Sequence, residues 1–466
     1  MKMLTRRFKT WGSLAICALL LFLTACGGNG GEKGANGSKP VAADDSGDLS
    51  GVVKIAVTGF PLDDGINPAT GREAKGIKTL FEPFLAEHPK LSIEYIEVPQ
   101  DDRKAKWQAL LLSNSVDILF LDAAIDFYNQ GFLMPLDDYM ARDNWKANFR
   151  ESLWTDNERL TSNSDGKVMA MPGGIITSTV VYDKQIFDDY GVEPLSDKPT
   201  AEEILQKAKQ LTGTNPKTGK QTYGLFYNPK GSSHLNLDIL SDGQGVEFGT
   251  IDWGNFGNSQ LNFNTPAIKK SLQTMIDMNP YLPPGYEIGR GSENWGKESN
   301  TIAICLWCNN MDEVLKNKLT DRYVMTKGIR DKNDKTSFGT ARVMSMAKES
   351  ANPEAAWQTL KFLSGPEGQK FLYDNYKELP SWKDADWVKK EDNPYADQLL
   401  AVVEDTKNQL FPPIMFSTIR PWMADLISRA VHGQKYDIDS ELAQIQEKVD
   451  KWVEEQKAIN AQKSRG

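Results

Sequence analysis

Two cysteines three positions apart are the residues whose spacing could most directly do chemistry. Cys305 and Cys308 lie in ICLWCNN, and a C-x-x-C motif can form a redox disulfide or supply half of a zinc site. A zinc site needs further ligands, but the sequence has no second cysteine pair, and its three histidines are scattered: His88, His234 and His432. The pair is therefore read as a local disulfide or as two free thiols, and no metal or cofactor is expected.

Sequence motifs of common enzymes do not occur in this chain. It contains no G-x-S-x-G, no H-E-x-x-H and no Walker loop, which mark serine hydrolases, zinc proteases and nucleotide hydrolases respectively. A glycosidase needs only two opposed carboxylates, and an acidic chain always offers such pairs. We expect a protein without catalytic activity, and keep an enzyme as the less favoured alternative.

The N-terminus has the pattern of an export signal. Four basic residues among the first nine precede a run of about 13 apolar residues, which is shorter than the roughly 20 that a membrane-spanning helix needs. The run ends in LTAC, residues 23–26, which resembles the lipobox of bacterial lipoproteins. In such proteins the signal is cut just before a diacylated cysteine. We therefore expect residues 1–25 to be a lipoprotein signal peptide and Cys26 to carry lipid.

Residues 26–50 are mostly Gly, Ser, Asn, Ala and Asp. Such a composition cannot bury enough apolar surface to fold, so it predicts a flexible tether. Lipid on Cys26 would hold the folded part at the extracytoplasmic face of the cell membrane. Removing the signal takes four positive charges from a net charge of −9, leaving −13. This acidic balance argues against nucleic acid as a partner.

Strand and helix patterns alternate after the tether. VVKIAVTGF (52–60), KLSIEYIEVP (90–99) and SVDILFLDA (115–123) have the β-branched or alternating pattern of strands. The segments between them have helical apolar spacing. This order predicts right-handed βαβ units and a mostly parallel sheet. Further along, Thr200 and Glu203 have the spacing of a helix capping box.

Four segments in a fixed order carry a resemblance to a known family: VDILFLDAAIDFYNQGFLMPLDD, GKVMAMPGGIITSTVVYDKQIFDDYGV, WGKESNTIAICLWCNN and AWQTLKFLSGPEGQKFL. They resemble the extracellular solute-binding proteins of ABC importers, the carbohydrate-binding family that includes maltose-binding protein. The sequence departs from the family pattern at Asp183, where Asn is usual, and at Ile302-Ala303, where Ala-Met is usual.

The resemblance implies an α/β fold of two lobes, the type II periplasmic-binding-protein fold, with a mostly parallel sheet flanked by helices in each lobe. We expect an N-lobe of residues 52–172 plus 342–378 and a C-lobe of residues 176–338 plus 383–460. The lobes would be joined by a multi-strand hinge. Because Gly and Pro suit a change of backbone direction, the expected hinge residues are Pro172, Gly173, Gly174 and Gly339.

Open α/β sheets bind ligands at the carboxyl ends of their strands, and two such edges facing each other form a cleft. Sugars stack their C–H faces on aromatic rings, and an enclosed hydroxyl without a partner costs about 1–3 kcal/mol. Side chains at strand ends or in nearby loops are therefore the predicted ligand contacts: Phe60, Asp63, Asp64, Asp122, His234, Trp253, Trp295, Trp307 and Phe416.

The evidence for these nine residues differs. The resemblance implies sugar stacking for Trp307 and an aromatic contact for Phe416. For Trp295 a core position is the favoured interpretation, and for His234 a position in a surface loop. Trp253 lies in DWGNFGN, a polar, glycine-rich loop that would not expose an indole without reason.

The resemblance implies the lipid-anchored, extracellular solute-binding subunit of an ABC importer. Such a subunit, expected to be a monomer, captures a carbohydrate, here an oligosaccharide, between its lobes and delivers it to a membrane permease. The alternative within the same architecture is a non-sugar solute such as a polyamine. A lipid-anchored carbohydrate-active enzyme is the other alternative.

Overall fold

The computed structural model describes the folded part of the chain in thirteen stretches: residues 49–67, 72–99, 103–121, 124–154, 161–162, 165–177, 179–227, 249–286, 290–306, 311–329, 336–389, 393–408 and 414–463. The expected signal peptide, Cys26 and nearly all of the tether lie outside these stretches. Within them, no helix combines the length and apolar character that crossing a membrane requires.

A seven-stranded sheet forms the core of the first lobe. Its strands are β1 (Ser50–Val57), β4 (Lys90–Glu97), β5 (Ile118–Leu121), β6 (Met171–Thr177), β14 (Thr336–Met346), β15 (Leu379–Pro380) and β16 (Thr406–Asn408). The order is β15-β6-β14-β5-β1-β4, with β16 paired to β14. Strand β1 is parallel to β4 and β5, while β14 is antiparallel to β5 and β6.

A five-stranded sheet forms the core of the second lobe. Its strands are β7 (Val180–Asp183), β8 (Gly213–Thr214), β9 (Gln221–Phe226), β12 (Ile302–Leu306) and β13 (Tyr323–Met325). The order is β13-β7-β12-β9-β8, with β9 and β12 parallel and β7 antiparallel to both of its neighbours. Two short hairpins pair β2 (Gly65–Asn67) with β3 (Arg72–Ala74), and β10 (Gly249–Thr250) with β11 (Gln260–Leu261).

Helices cover both sheets. In chain order they are α1 (Ile77–Glu87), α2 (Arg103–Leu112), α3 (Ile125–Asn129), α4 (Asp137–Arg142), α5 (Lys184–Tyr190), α6 (Ala201–Gln210), α7 (Pro266–Asp277), α8 (Asp312–Lys316), α9 (Pro353–Ser364), α10 (Pro366–Tyr376), α11 (Ala396–Asp405), α12 (Arg420–Val431) and α13 (Ile438–Lys463). The apolar stripes of most of these helices pack with the strands in one large core. Helices α7, α12 and α13 bury theirs against one another in a second, smaller core.

Local sequence signals explain several helix boundaries. The Thr200 hydroxyl accepts the Glu203 N–H at 3.1 Å, which confirms one half of the expected capping box. The Glu203 carboxylate turns instead to Ser196, whose N–H and hydroxyl donate to it at 2.8 and 2.7 Å. Gly365 separates α9 from α10, as the Gly-Pro sequence predicts.

The sheets are more mixed than the βαβ order predicted. The parallel trio β4-β1-β5 is present, but β14 enters the first sheet on its return from the second lobe. A strand that returns from the other lobe enters the sheet at the carboxyl ends of the parallel strands. It is therefore antiparallel to them, as β14 is to β5. The backbone also does not turn at Pro172–Gly174, because these residues lie inside β6 and pair with β14 and β15. Gly339 likewise lies inside β14.

Candidate functional site

Phe60 follows the carboxyl end of β1 and is the centre of a small cluster in the first lobe. Its ring is 6% exposed, and the guanidinium carbon of Arg342 lies 4.4 Å from its centroid. Tyr376 meets the same ring nearly edge-on at 4.6 Å. The Phe60 ring therefore holds the Arg342 side chain in place and has little surface left for a sugar in this structure.

Arg342 is fixed from its other side by Glu378. Its Nε and Nη2 donate to one oxygen of Glu378, Oε1, at 3.1 and 2.9 Å. The two residues flank β6, and the Glu378 side chain lies over Gly174. A Cβ atom on Gly174 would meet Glu378 Oε2 at 2.3 Å and Glu378 Cβ at 2.4 Å. Gly174 is therefore required for close approach of this carboxylate.

The second carboxylate oxygen of Glu378, Oε2, is buried and has no hydrogen-bond partner among the residues that the structure describes. The whole residue is 7% exposed. A buried acceptor without a donor costs about 1–3 kcal/mol, and more when it is charged. The Phe60 cluster, which comprises Phe60, Arg342, Tyr376 and Glu378, therefore combines aromatic rings with a cation and an incompletely satisfied carboxylate.

Asp63 and Asp64 fasten the start of α1. Asp64 accepts the Gly76 N–H at 2.9 Å, the Thr79 hydroxyl at 2.8 Å and Lys75 Nζ at 2.6 Å. These donors, with Lys75 first, lower the pKa of Asp64 to about 2. Asp63 pairs with Lys78 at 2.8 Å on the surface. The structure thus gives both carboxylates local structural partners.

Aromatic residues also gather near the strand ends of the second lobe. Tyr227 follows β9 and is fully buried, and its hydroxyl finds no hydrogen-bond partner within the described part of the chain. Burial raises its pKa well above the usual value. Tyr286 meets it edge-on at 5.9 Å. Sequence reasoning missed Tyr227, although its position directly after the strand TYGLF was the available signal.

Trp295 is a packed residue rather than an open platform. It is 9% exposed and meets the Tyr323 ring edge-on at 5.0 Å. Trp253 is half-buried, packs edge-on against Phe256 at 5.9 Å, and its carbonyl accepts a hydrogen bond from Asn129 at 2.6 Å.

The remaining predicted ligand residues are not placed by the structure. Asp122, His234 and Trp307 lie outside the described residues, and of Phe416 only the backbone is described, within a π-helix at Met415–Ile419. The structure therefore brings none of the nine together with another around one described cavity. Cys305, at 0% exposure in β12, is disulfide-bonded, while Cys308 lies outside the described residues.

Groups of three or more His, Cys, Asp or Glu side chains that could hold a metal ion do not occur in the described part of the chain. The charged groups near the strand ends are instead paired with each other. Binding of a solute by hydrogen bonds and ring contacts is the chemistry that this arrangement supports.

Comparison with known proteins shows what the chain resembles. Residues 68–290 match the family model of bacterial extracellular solute-binding proteins. Over this stretch, a little under half of its length, the chain is similar to that family. It is 22% identical over 395 residues to an uncharacterized ABC transporter extracellular-binding protein of Pyrococcus horikoshii, which covers 80% of this chain and 81% of that protein.

Solved structures confirm the two-lobed fold. The sugar-binding protein MalE of Xanthomonas citri superposes with a TM-score of 0.68 at 16% identity, covering 88% of this chain and 100% of that one. An ABC substrate-binding protein of Listeria monocytogenes, in complex with cycloalternan, gives 0.63 at 16% identity, with 86% and 99% covered. Members of this class work outside the cytoplasm and bind small solutes for a permease.

Asp183, where the related proteins usually have Asn, has a structural role. It is fully buried and accepts Arg322 Nε at 2.8 Å and Nη2 at 2.7 Å. The Asn300 amide donates to it at 2.8 Å, and its Oδ1 also accepts the Gln185 N–H at the start of α5. The departure from the usual Asn is explained by Arg322, since the arginine needs a charged partner.

Proposed function

We propose that this solute-binding protein captures a carbohydrate between its two lobes and delivers it to the permease of an ABC importer. The observation that carries the proposal is the position of the Phe60 cluster, at the edge of the first sheet where such folds bind ligands. Arg342 covers the Phe60 ring in this structure and would have to turn away for a sugar to stack on it. A guanidinium and a carboxylate with an unfilled acceptor suit the hydroxyl groups of a sugar. The sugar-binding protein MalE and the cycloalternan complex, both of similar fold, support the same class of solute.

The lobes are proposed to close on the solute. Their proposed boundaries are those expected from the sequence, except that residues 336–338 and 406–408 pair within the sheet of the first lobe. Residues 172–174 and 339 lie in β6 and β14, two strands that are proposed to link the lobes. A ligand that binds the closed form more tightly than the open form shifts the population toward closure. A permease could then distinguish loaded from empty protein by shape alone.

The protein is further proposed to be a monomer held at the membrane by lipid on Cys26. The sequence LTAC and the glycine-rich residues after it support this attachment. We propose no catalytic activity, in keeping with a family whose general role is binding.

A polyamine is the second candidate solute, favoured by the acidic charge of the mature chain. The ion pairs of two acidic residues in the structure weaken the polyamine alternative. Asp63 and Asp64, two acids that could bind an amine, already pair with Lys78 and Lys75.

A thermal-shift screen tests the class of solute. The purified chain would be heated with maltose, maltotriose, cycloalternan, mannitol, ribitol and spermidine in parallel. A solute at 100 times its Kd stabilises the folded state by about 2.7 kcal/mol, so a true ligand raises the Tm measurably. A rise with spermidine and with none of the carbohydrates would overturn the proposal.

A further inference from the structure

We propose that Asn129 and the loop of residues 251–259 form a contact that holds the two lobes together independently of the strands that link them. The inference rests on the two-lobed closure proposed above. The amide nitrogen of Asn129 donates to the carbonyl oxygen of Trp253 at 2.6 Å, across 124 positions of sequence. This contact gives the DWGNFGN segment a role that sequence analysis could not assign.

Asn129 belongs rigidly to the first lobe. It ends α3, the helix that follows the carboxyl end of β5. Phe127 of the same helix is 2% exposed and packs edge-on against Trp107 of α2 at 6.3 Å. The Asn129 side chain therefore moves with the first sheet.

The loop that carries the Trp253 carbonyl is braced internally. Asp252 Oδ1 accepts the N–H groups of Gly254 at 3.0 Å and Asn255 at 2.9 Å. Its other oxygen accepts the Asn258 amide at 3.0 Å, and the Asp252 N–H donates to the Ser259 hydroxyl at 3.0 Å. The direction of the Trp253 carbonyl is thus fixed by the loop itself.

The same loop is seated on α13, the C-terminal helix. Phe256 contacts the Trp452 ring at 5.6 Å, and the Asn460 amide donates to Asn255 Oδ1 at 2.5 Å. A Cβ atom on Gly257 would lie 2.6 Å from the backbone of Lys457. This close packing makes the loop part of the second lobe, because α13 packs on α7 of that lobe.

A hydrogen bond between two rigid bodies forms or breaks with the distance between them. A neutral hydrogen bond changes an equilibrium by about two- to tenfold. The Asn129–Trp253 contact should therefore raise, by that factor, the population of molecules in which the two lobes are in contact. The apparent affinity for a solute that requires this arrangement rises in proportion.

Distances between spin labels in the solute-free full chain test the inference. Labels would be attached to Ser113→Cys in the first lobe and Gln273→Cys in the second, since both positions are exposed. Asn129→Ala should lower the population of the shorter interlobe distance by about two- to tenfold. Asn129→Asp keeps the size of the side chain but sets an anionic oxygen against the carbonyl, so it should lower that population further.

Gln130→Ala is the matched control. Gln130 is the next residue, is exposed, and its amide donates to the Asp126 carbonyl one turn back, at 3.1 Å, rather than to the other lobe. The control should leave the distances unchanged. Identical distance distributions in Asn129→Ala, Asn129→Asp and the parent chain would overturn the proposal, as would a parent distribution that lacks the shorter distance. No solute is added, so this result is independent of the identity of the cargo.

Discussion

Glu378 lies directly over Gly174, with its carboxylate in the space that a side chain at Gly174 would occupy. Arg342 on β14 forms an ion pair with the same carboxylate. Because Glu378 directly precedes β15 and β6 runs between β15 and β14, this pair connects the two outer strands across β6. The glycine expected to allow hinge bending is thus also required by packing.

Gly174→Ala should lower the free energy of unfolding by about 1–3 kcal/mol, because the new methyl group displaces Glu378 from Arg342. Urea denaturation measures the loss. Gly65→Ala is the control, since a Cβ there meets nothing within 4 Å. In a Glu378→Gly background, which removes both the carboxylate and the Cβ that the new methyl group would meet, the same Gly174 substitution should cost much less. An equal loss in both backgrounds would show that Glu378 is not the obstacle.

Asp183→Ala should lower the free energy of unfolding by about 3–5 kcal/mol, because it leaves the Arg322 guanidinium without its buried counter-charge. Chemical denaturation again gives the value. Asp188→Ala removes the acid of an exposed pair with Lys184 in the neighbouring helix and should cost under about 0.5 kcal/mol. Similar small losses for both variants would contradict the structural role given to Asp183.

The carboxyl group of Asp64 should titrate with a pKa of about 2. Because the folded pKa lies below the ordinary value of 3.8, its contribution to stability is fully present above pH 3.8 and is lost as the pH falls through 2. Carbon-detected NMR of the side-chain carboxyl follows this directly. Lys75→Met should move the midpoint upward, and a midpoint near 4 in the parent chain would refute the hydrogen bonds assigned to Asp64.

Trp295 and Trp307 should respond differently to truncation. Trp295→Ala removes a packed ring and should lower the free energy of unfolding by about 3–5 kcal/mol. Trp307→Ala should instead weaken binding of whichever carbohydrate raises the Tm, with little change in the unfolding midpoint of the solute-free chain. If Trp295→Ala alone weakened binding at full stability, the roles given to these tryptophans would be reversed.

Patterned segments of the sequence predicted the fold well. The β1, α1, β4, α2, β5 succession and the Gly365 break between α9 and α10 follow from local apolar spacing and from glycine and proline. The antiparallel entry of β14 was not predictable locally, since it depends on the chain returning from the other lobe. Sequence could also not show that Arg342 and Glu378, 36 positions apart, meet over β6.

The candidate site was predicted less completely, for a physical reason. Phe60 was found because it follows a strand, but its ring is covered by Arg342, a contact that depends on strand order. Asp63 and Asp64 were read as ligand contacts because the lysines that bind them lie 11 and 15 positions later. Tyr227 was missed because a tyrosine after a strand is also an ordinary core residue.

Mass spectrometry of the small molecule released from the chain tests the central proposal most directly. The protein would be purified from its own cells without dialysis and then denatured, so that no solute has to be guessed in advance. The account predicts release of a carbohydrate, with a mass built from sugar or polyol units. Release of a polyamine or another nitrogen-rich solute in its place would contradict it.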